Sequence, residues 1–558
     1  MKKIITDANS IVAKISHKVT EYSSIYPITP SSTMGEEYSK LSEKGETNIF
    51  GEVPQVDVMQ SETGAIASSS GALFGGLYST TFSSSQGLLL MIPNMYKMAS
   101  SLKPFVLNVA SRSLSTHALN IFCDHSDIYS TLSTGFCTIC SSNVQKSQDF
   151  CMISHMLTLK SQIPVLHFFD GFITSHNTST IDELKDENIK NLFPTNEFLK
   201  FKNSCLVSTK PKTLGTNQNP DIYFQNRERV EEYVQKVPEI LNECFEKFYN
   251  ETKRKYQIFE YFGSKNATKI IVSLGSSVET LKNALNYLDD DYGVVGVNLL
   301  NPFCDKEFLK VLPKTAKIIT VLDRSKQAGN NCEYLAKSVV ASLKNSKIEV
   351  LCGRYGLGGK NFDLNMSKAV FMNMNETKKD HFTIGIEDDI TKTSILYNQN
   401  EIFEDNIKKY AFYGIGNDGS VGASKLFAKL IGNADSVFVN SNSYYDSKKS
   451  GNLTESQVFV STKKFELCYK EKFFDYIVIS NSNLINNYDI LSSIKKNSVI
   501  LINSDGNFEN NLNDQNKFLL ATKRCKIYFI DADKIALQNN LGNKTNIIML
   551  ASFINLID

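Results

Sequence analysis

The sequence predicts an α/β chain of three domains, and three observations predict it. Between residues 269 and 351, apolar strand-like runs alternate with segments of helical periodicity, the pattern of a parallel sheet with right-handed crossovers. Before that region, Ser-, Thr- and Gly-rich loops join short apolar segments such as Ile163–Phe169, and after it come four more strand-like runs. A chain of 558 residues also has room for several domains, each with a core of its own.

The first domain is placed at 1–256. Its leading feature is Tyr26-Pro-Ile-Thr-Pro-Ser-Ser-Thr-Met-Gly-Glu-Glu37. Pro27 and Pro30 keep the backbone around Thr29 out of the helical region. The Ser/Thr run then offers a helix cap, with Glu36 and Glu37 expected in the first turn. This reads as strand, stiff turn and helix, with the Thr29 hydroxyl at the turn. From about 177 to 260 the chain turns rich in Lys, Glu and Asn, with a helix over Arg227–Phe248, and reads as the tail of the first domain and a connector.

The second domain is placed at 257–409. Lys269–Leu274 is a strand, and Val278, Leu281, Leu285 and Leu288 mark a helix. Val294–Leu300 is read as one strand, Lys306–Leu312 as a short helix and Lys317–Leu322 as a strand. A helix carrying Leu335, Val339 and Leu343 follows, then the strand Ile348–Leu351.

The third domain is placed at 410–558. Its strands are Val437–Val439, Tyr476–Ile479, Val499–Ile502 and Ile527–Ile530, with a helix over Val421–Ile431. Asp505–Asn511 reads as a turn. The apolar ending Ile547–Asp558 leads to the expectation that this domain is truncated.

Composition narrows the function. A net charge of +1 argues against a dedicated nucleic-acid binder. The most apolar run, Leu88–Pro93, is too short to span a bilayer and is broken by Pro93, so no membrane partner is expected. The N-terminus lacks the apolar core of a signal peptide. Eleven cysteines without framework spacing point to reduced thiols in a cytoplasm. Cys137-x-x-Cys140 has no third or fourth ligand at cluster spacing, so both are read as core or loop thiols and no metal site is expected. His167, inside an apolar strand, is read as a satisfied core residue.

Three constellations carry candidate chemistry. Glu62 sits in Met59–Ala65 among small and apolar neighbours, where a carboxylate is costly unless partnered. It is a solvated residue or the acid that hydrogen-bonds a cofactor ring nitrogen. Arg112 lies just past the apolar run Pro104–Leu107, where the end of a parallel strand points into a ligand crevice. Its fork suits a carboxylate, with a plain salt bridge as the alternative. Gly414-Ile-Gly416-Asn417-Asp418-Gly419, followed by Ser420 and a helix, fits G-x-G-x-x-G and offers backbone N–H groups to a diphosphate. No acid closes the next strand; Lys448 and Lys449 follow instead, which favours coenzyme A over NAD.

Together these residues resemble pyruvate:ferredoxin (flavodoxin) oxidoreductase along essentially the whole chain. The matching strings run in the family's order: Tyr26–Glu37, Met59–Ala65, Phe82–Lys97, Ala118–Tyr129, His167–His176, Asn219–Gln225, Ala316–Lys326, Gly353–Lys360, His381–Thr391, Gly416–Lys425 and Tyr444–Gly451. The resemblance implies a thiamine-enzyme pyrimidine-type first domain, a transketolase C-terminal-like second and a coenzyme A-binding third. It implies decarboxylation of pyruvate on thiamine diphosphate, transfer of electrons to ferredoxin or flavodoxin, and release of acetyl-CoA. Glu62 then looks like the glutamate on the aminopyrimidine, Arg112 like the holder of the pyruvate carboxylate, and Thr29 like the hydroxyl beside the keto group. Gly416, Asn417, Asp418, Gly419, Ser420, Lys448 and Asn546 resemble the family's coenzyme A contacts.

Only the first three domains of the family's single-chain enzyme are represented. The cluster domain, with its [4Fe-4S] centres, and the domain holding magnesium and the cofactor's diphosphate are expected in a C-terminal half, in cis or in trans. A homodimer is expected, as is inactivity of this chain alone. A different 2-oxo acid stays open. So does a non-catalytic coenzyme A-binding or scaffolding module, since related segments occur joined to sulfite reductase flavoproteins.

Overall fold

The computed structural model describes residues 2–209, 211–375, 378–387, 390–399, 401, 406–416, 418–433, 436–445, 452–505, 512–542 and 544–557. Asn417, Lys448 and most of the expected turn at 505–511 lie outside them. The chain divides into two compact units. One comprises Lys2, Asp7–Ser175 and Asp182–Gln399; the other takes Lys3–Thr6, His176–Ile181 and the chain from 400 onward.

The first unit carries two sheets. In the larger, the strands lie in the order Leu299–Asn301, Cys137–Ser141, Val165–Asp170, Val106–Ser111, Ser79–Ser83, Tyr22–Ile25 and Gln55–Val58. All are parallel except the antiparallel edge Leu299–Asn301. The central strands are buried along their whole length, which is why they read as continuous runs rather than alternations. The helix Val144–Ser161 is buried along almost all of its length as well. His167 sits between neighbouring strands, its Nδ1 2.8 Å from Asn108 Oδ1 and its Nε2 2.8 Å from Ser141 Oγ. It is the satisfied core residue its setting in the sequence predicts.

The second sheet runs Phe382–Ile384, Glu349–Tyr355, Ile318–Asp323, Lys269–Ser273, Tyr292–Val297 and Phe259–Gly263. Its four central strands are parallel, as the alternation predicts, and Phe259–Gly263 is antiparallel. The expected single strand Val294–Leu300 is two. Tyr292–Val297 stays in this sheet, while Leu299–Asn301 pairs with Cys137–Ser141 in the other. The break is Asn298, whose carbonyl accepts from Cys140 N at 2.8 Å and whose side chain bonds Lys146 Nζ and the Gln257 carbonyl.

The second unit is built on one mixed sheet, ordered Lys3–Thr6, Thr178–Asp182, Phe438–Tyr445, Leu453–Ser461, Lys408–Ile415, Phe474–Ile479, Ile494–Asn503 and Lys526–Ile530. Two of these strands come from the stretch read as the first domain: Thr178–Asp182 pairs antiparallel with Phe438–Tyr445 through Ser179 and Asn440. Tyr410 packs edge to face on Phe427, and Phe412 on Phe553, in the core beside it.

Buried titrating groups set a pH optimum for the first unit. Burial drives His155 and His167 down to about 3 and His17 down to about 4. Each contributes stability that is complete above the unfolded value near 6.5 and is lost as pH falls toward the folded one. Asp323 and Asp127 act with the opposite sign, burial raising them to about 6 and about 8. They cost stability as pH rises from about 4 to those values. Three histidines outweigh two carboxyls below pH 6.5, and Asp127 alone acts above it. The melting temperature is therefore expected to peak near pH 6.5. Melting curves across pH 4.5–8.5 check this, and a continued rise to pH 8 contradicts it.

Candidate active site

Thr29, Glu62 and Arg112 all follow the carboxyl ends of parallel strands of the larger sheet in the first unit, the edge at which such sheets present their loops to ligands. Tyr22–Ile25 leads into Thr29, Gln55–Val58 into Glu62, Ser79–Ser83 into Ser84 and Ser85, and Val106–Ser111 into Arg112.

The turn at Thr29 is clamped by its neighbours. Thr29–Pro30 is a cis peptide. The Pro30 carbonyl accepts from Asn9 Nδ2 at 2.9 Å, and Ser31 Oγ donates to the Ile28 carbonyl at 3.0 Å. A Cβ on Gly171 would meet the Pro30 ring, so glycine is required there. The helix begins at Ser32 without a side-chain cap and without acidic residues in its first turn, contrary to the expectation from Glu36 and Glu37. The Ser31 hydroxyl is used by the turn instead. The Thr29 side chain is exposed.

Arg112 is 7 % exposed. Its Nε donates to the Asn120 carbonyl at 3.1 Å and its Nη1 to the Thr29 carbonyl at 2.9 Å. Among the described residues Nη2 has no partner and no carboxylate lies within ion-pair distance of the guanidinium, so the plain salt bridge is not what holds it. Burial lowers its pKa. The buried Asp127 carboxyl group addresses only the backbone among the described residues, accepting from Arg112 N at 3.0 Å, Ser85 N at 2.9 Å and Ile128 N at 2.8 Å. It thereby ties the end of the strand Val106–Ser111 to the start of the preceding helix, Ser85–Ser100, where Ser85 stands at φ 50°. Asn120 is fixed in turn by Gly358, whose carbonyl accepts from Asn120 Nδ2 at 3.2 Å. The turn at Gly356, Gly358 and Gly359 has positive φ at all three, and a Cβ on Gly359 would strike Phe122.

Glu62 opens the helix Glu62–Phe74, capped by Ser61 Oγ accepting from Gly64 N at 3.1 Å. It is 6 % exposed, and among the described residues its carboxyl group has no hydrogen-bond or ion-pair partner. A Cβ on Gly87 would lie 2.5 Å from Glu62 Oε1. Glycine at 87 is thus the space the carboxyl group occupies.

In the second unit, the loop Gly414–Gly419 leads into the helix Ser420–Gly432. Asp418 spends its carboxylate on the loop itself, accepting from Ile415 N and Ser420 N at 2.8 Å each and from Ser480 Oγ at 2.6 Å. Asn546 Nδ2 donates to the Gly419 carbonyl at 3.3 Å, and Gly419 has φ 83°. Gly416, Asp418, Gly419, Ser420 and Asn546 are thereby gathered at one helix N-terminus.

Three family models match successive parts of the chain. Residues 14–246 match "pyruvate flavodoxin/ferredoxin oxidoreductase, thiamine diP-bdg", residues 267–366 match "pyruvate:ferredoxin oxidoreductase core domain II", and residues 409–558 match "pyruvate ferredoxin/flavodoxin oxidoreductase". The chain is 41 % identical to the pyruvate:ferredoxin oxidoreductase of Moorella thermoacetica, over 99 % of itself and 48 % of that protein. Identity is 40 % to the pyruvate-flavodoxin oxidoreductase of Trichormus variabilis, over 98 % of this chain and 47 % of that one. The chain belongs to the pyruvate:ferredoxin/flavodoxin oxidoreductase family.

It spans about half the length of the curated family members it matches. Matches of this kind do not favour the scaffold alternative. Among solved structures, a 2-oxoglutarate:ferredoxin oxidoreductase from Magnetococcus marinus aligns over 67 % of this chain and 65 % of its own, at 18 % identity and a TM-score of 0.49. Among the described residues no helix is long and apolar enough to cross a membrane.

Sequence reasoning missed Asp127, Ser85, Asn120 and Gly87. Asp127 and Asn120 lie inside the string Ala118–Tyr129, and Ser85 and Gly87 inside Phe82–Lys97, which carried the family resemblance without saying what each residue does.

Proposed function

We propose that the chain supplies the 2-oxo acid- and aminopyrimidine-binding part of a thiamine diphosphate-dependent oxidoreductase that converts pyruvate and coenzyme A to acetyl-CoA and carbon dioxide. The observation that carries this reading is the pairing of two buried groups that lack partners among the described residues, the Glu62 carboxyl over Gly87 and the Nη2 end of the Arg112 guanidinium. Buried ionisable groups without partners are costly to fold, and a ligand that satisfies both accounts for their retention.

Thiamine diphosphate, when bound, supplies the carbon nucleophile and electron sink for decarboxylation. Glu62 would hydrogen-bond the aminopyrimidine ring and so orient it. Arg112 Nη2 takes the substrate carboxylate while its other two nitrogens keep the fork aimed, and the exposed Thr29 hydroxyl hydrogen-bonds the keto oxygen. Asp127 is a positioning residue, fixing the backbone of Arg112 and Ser85. The loop from Gly416 to Ser420, with Lys448 and Asn546, receives coenzyme A; Asp418 acts there by shaping the loop, since its oxygens are already engaged.

The magnesium–diphosphate site and the [4Fe-4S] clusters that pass electrons to ferredoxin or flavodoxin belong to the other half of the assembly, in cis or in trans, in a cytoplasmic homodimer. The three-domain division at 1–256, 257–409 and 410–558 is part of the same proposal. The test is reconstitution. With pyruvate, coenzyme A, thiamine diphosphate and magnesium, the purified chain alone is expected to reduce no viologen, and mixing it with the C-terminal half of a family member is expected to restore reduction. Robust turnover by the chain alone sinks the half-enzyme reading, and a stable but inert mixture sinks the catalytic one.

A further inference from the structure

The second sheet of the first unit holds a cluster that the proposed chemistry does not use. Cys352 lies in the strand Glu349–Tyr355, Cys332 just before the helix Tyr334–Ser342, and His381 directly before the edge strand Phe382–Ile384. The pairing of Gly353 with Phe382 sets His381 beside Cys352. The two sulfurs and a ring nitrogen of His381 lie within 4.8 Å of one another, with 3.3 Å between the sulfurs. That separation is too long for a disulfide, and it needs only a small opening to reach the roughly 3.8 Å that two Zn–S bonds of 2.3 Å span in a tetrahedral site.

The surroundings hold the histidine in place. Asp380 Oδ1 accepts from Cys352 N at 2.7 Å and from His381 N at 2.8 Å, while its Oδ2 lies 3.2 Å from His381 Nε2. The His381 carbonyl accepts from Arg354 Nη2 at 3.3 Å, and the residue is held at φ 52°. A carboxylate on one ring nitrogen leaves the other as a lone-pair donor, the arrangement that orients metal-ligating histidines. His381 also lines a cavity of about 510 Å³ with Lys326, Asn330 and Asn331.

We propose that Cys332, Cys352 and His381 bind a soft divalent cation of the zinc type, with Asp380 as the positioning carboxylate. Two thiolates and one imidazole select such an ion over magnesium or calcium. A second grouping of ligand types, Cys123, His125 and Asp170, does not compete for it. There Asp170 is already occupied by Arg324 Nη1 at 2.9 Å, His125 Nε2 at 2.7 Å and Ser276 N at 3.1 Å, and Arg324 places a positive charge where a cation would sit.

Cobalt(II) titration of the reduced, purified full chain tests the site. One equivalent is expected to give the intense ligand-field and sulfur-to-cobalt charge-transfer bands of a tetrahedral thiolate site, displaced by one equivalent of zinc. Cys352→Ser and the half-exposed His381→Asn are each expected to abolish these bands, Asp380→Asn to weaken binding about 10- to 100-fold, and Cys525→Ser to leave them intact. Absence of thiolate bands in the reduced wild type overturns the proposal, as do unchanged bands in both Cys352→Ser and His381→Asn.

Discussion

Replacing Arg112 with alanine in the assembled oxidoreductase is expected to lower kcat/KM for pyruvate by about 10²- to 10³-fold, chiefly through KM. The guanidinium is buried at a strand end, its Nε and Nη1 are committed to the Asn120 and Thr29 carbonyls, and its Nη2 is unpartnered among the described residues. Truncating one side of a buried charge-assisted pair costs about 2–5 kcal/mol, and each 1.4 kcal/mol is about tenfold. Alanine also frees the two carbonyls that hold the Thr29 turn and the Asn120 loop, so some loss of kcat accompanies the loss of affinity. Arg112→Lys retains the charge but not the planar fork, and its KM for pyruvate is expected to fall between wild type and alanine. The KM for coenzyme A is expected to stay the same in both, because that site is proposed on other residues. Steady-state kinetics in each substrate separate these effects, and an unchanged pyruvate dependence removes Arg112 from the site.

What was legible in the sequence follows the range of the interactions involved. The β–α alternation over 269–351 gave the four parallel strands of the second sheet because each strand declares itself through local apolar runs. The same local reading joined Tyr292–Val297 to Leu299–Asn301, since nothing in Val-Asn-Leu says that Asn298 bonds Lys146 and Gln257, from segments 152 and 41 residues away in the chain. Thr178–Asp182 read as connector for a similar reason: its partner strand, Phe438–Tyr445, lies far along the chain. At the site, Glu62 and Arg112 were visible because a charge among small or apolar residues is conspicuous. Asp127 was not, because its service is to three backbone N–H groups, which leave no mark on the residues that carry them. The role of Asp418 was likewise out of reach, since only the folded loop shows its carboxylate turned inward onto Ile415, Ser420 and Ser480.

Glu62→Gln is expected to separate function from folding more cleanly than any other single change. The substitution preserves shape, and the wild-type carboxyl group has no protein hydrogen bond to lose among the described residues. A carboxyl group buried without a partner is a folding cost, so the isosteric amide is expected to leave the melting temperature of the chain unchanged or raise it by about 2 °C. Turnover in the assembled enzyme is expected to fall by about 10²- to 10⁴-fold, the usual contribution of a positioned proton donor or acceptor. Gly87→Ala supplies the complementary lesion, because its Cβ would come within 2.5 Å of Glu62 Oε1 and displace the carboxyl group. It is expected to reduce turnover and stability together, since the added methyl overpacks a buried contact. A glutamine variant that melts several degrees lower yet turns over normally assigns Glu62 to the scaffold. The predicted opposite pattern, a stable chain without turnover, is that of a residue kept for its ligand at the expense of the fold.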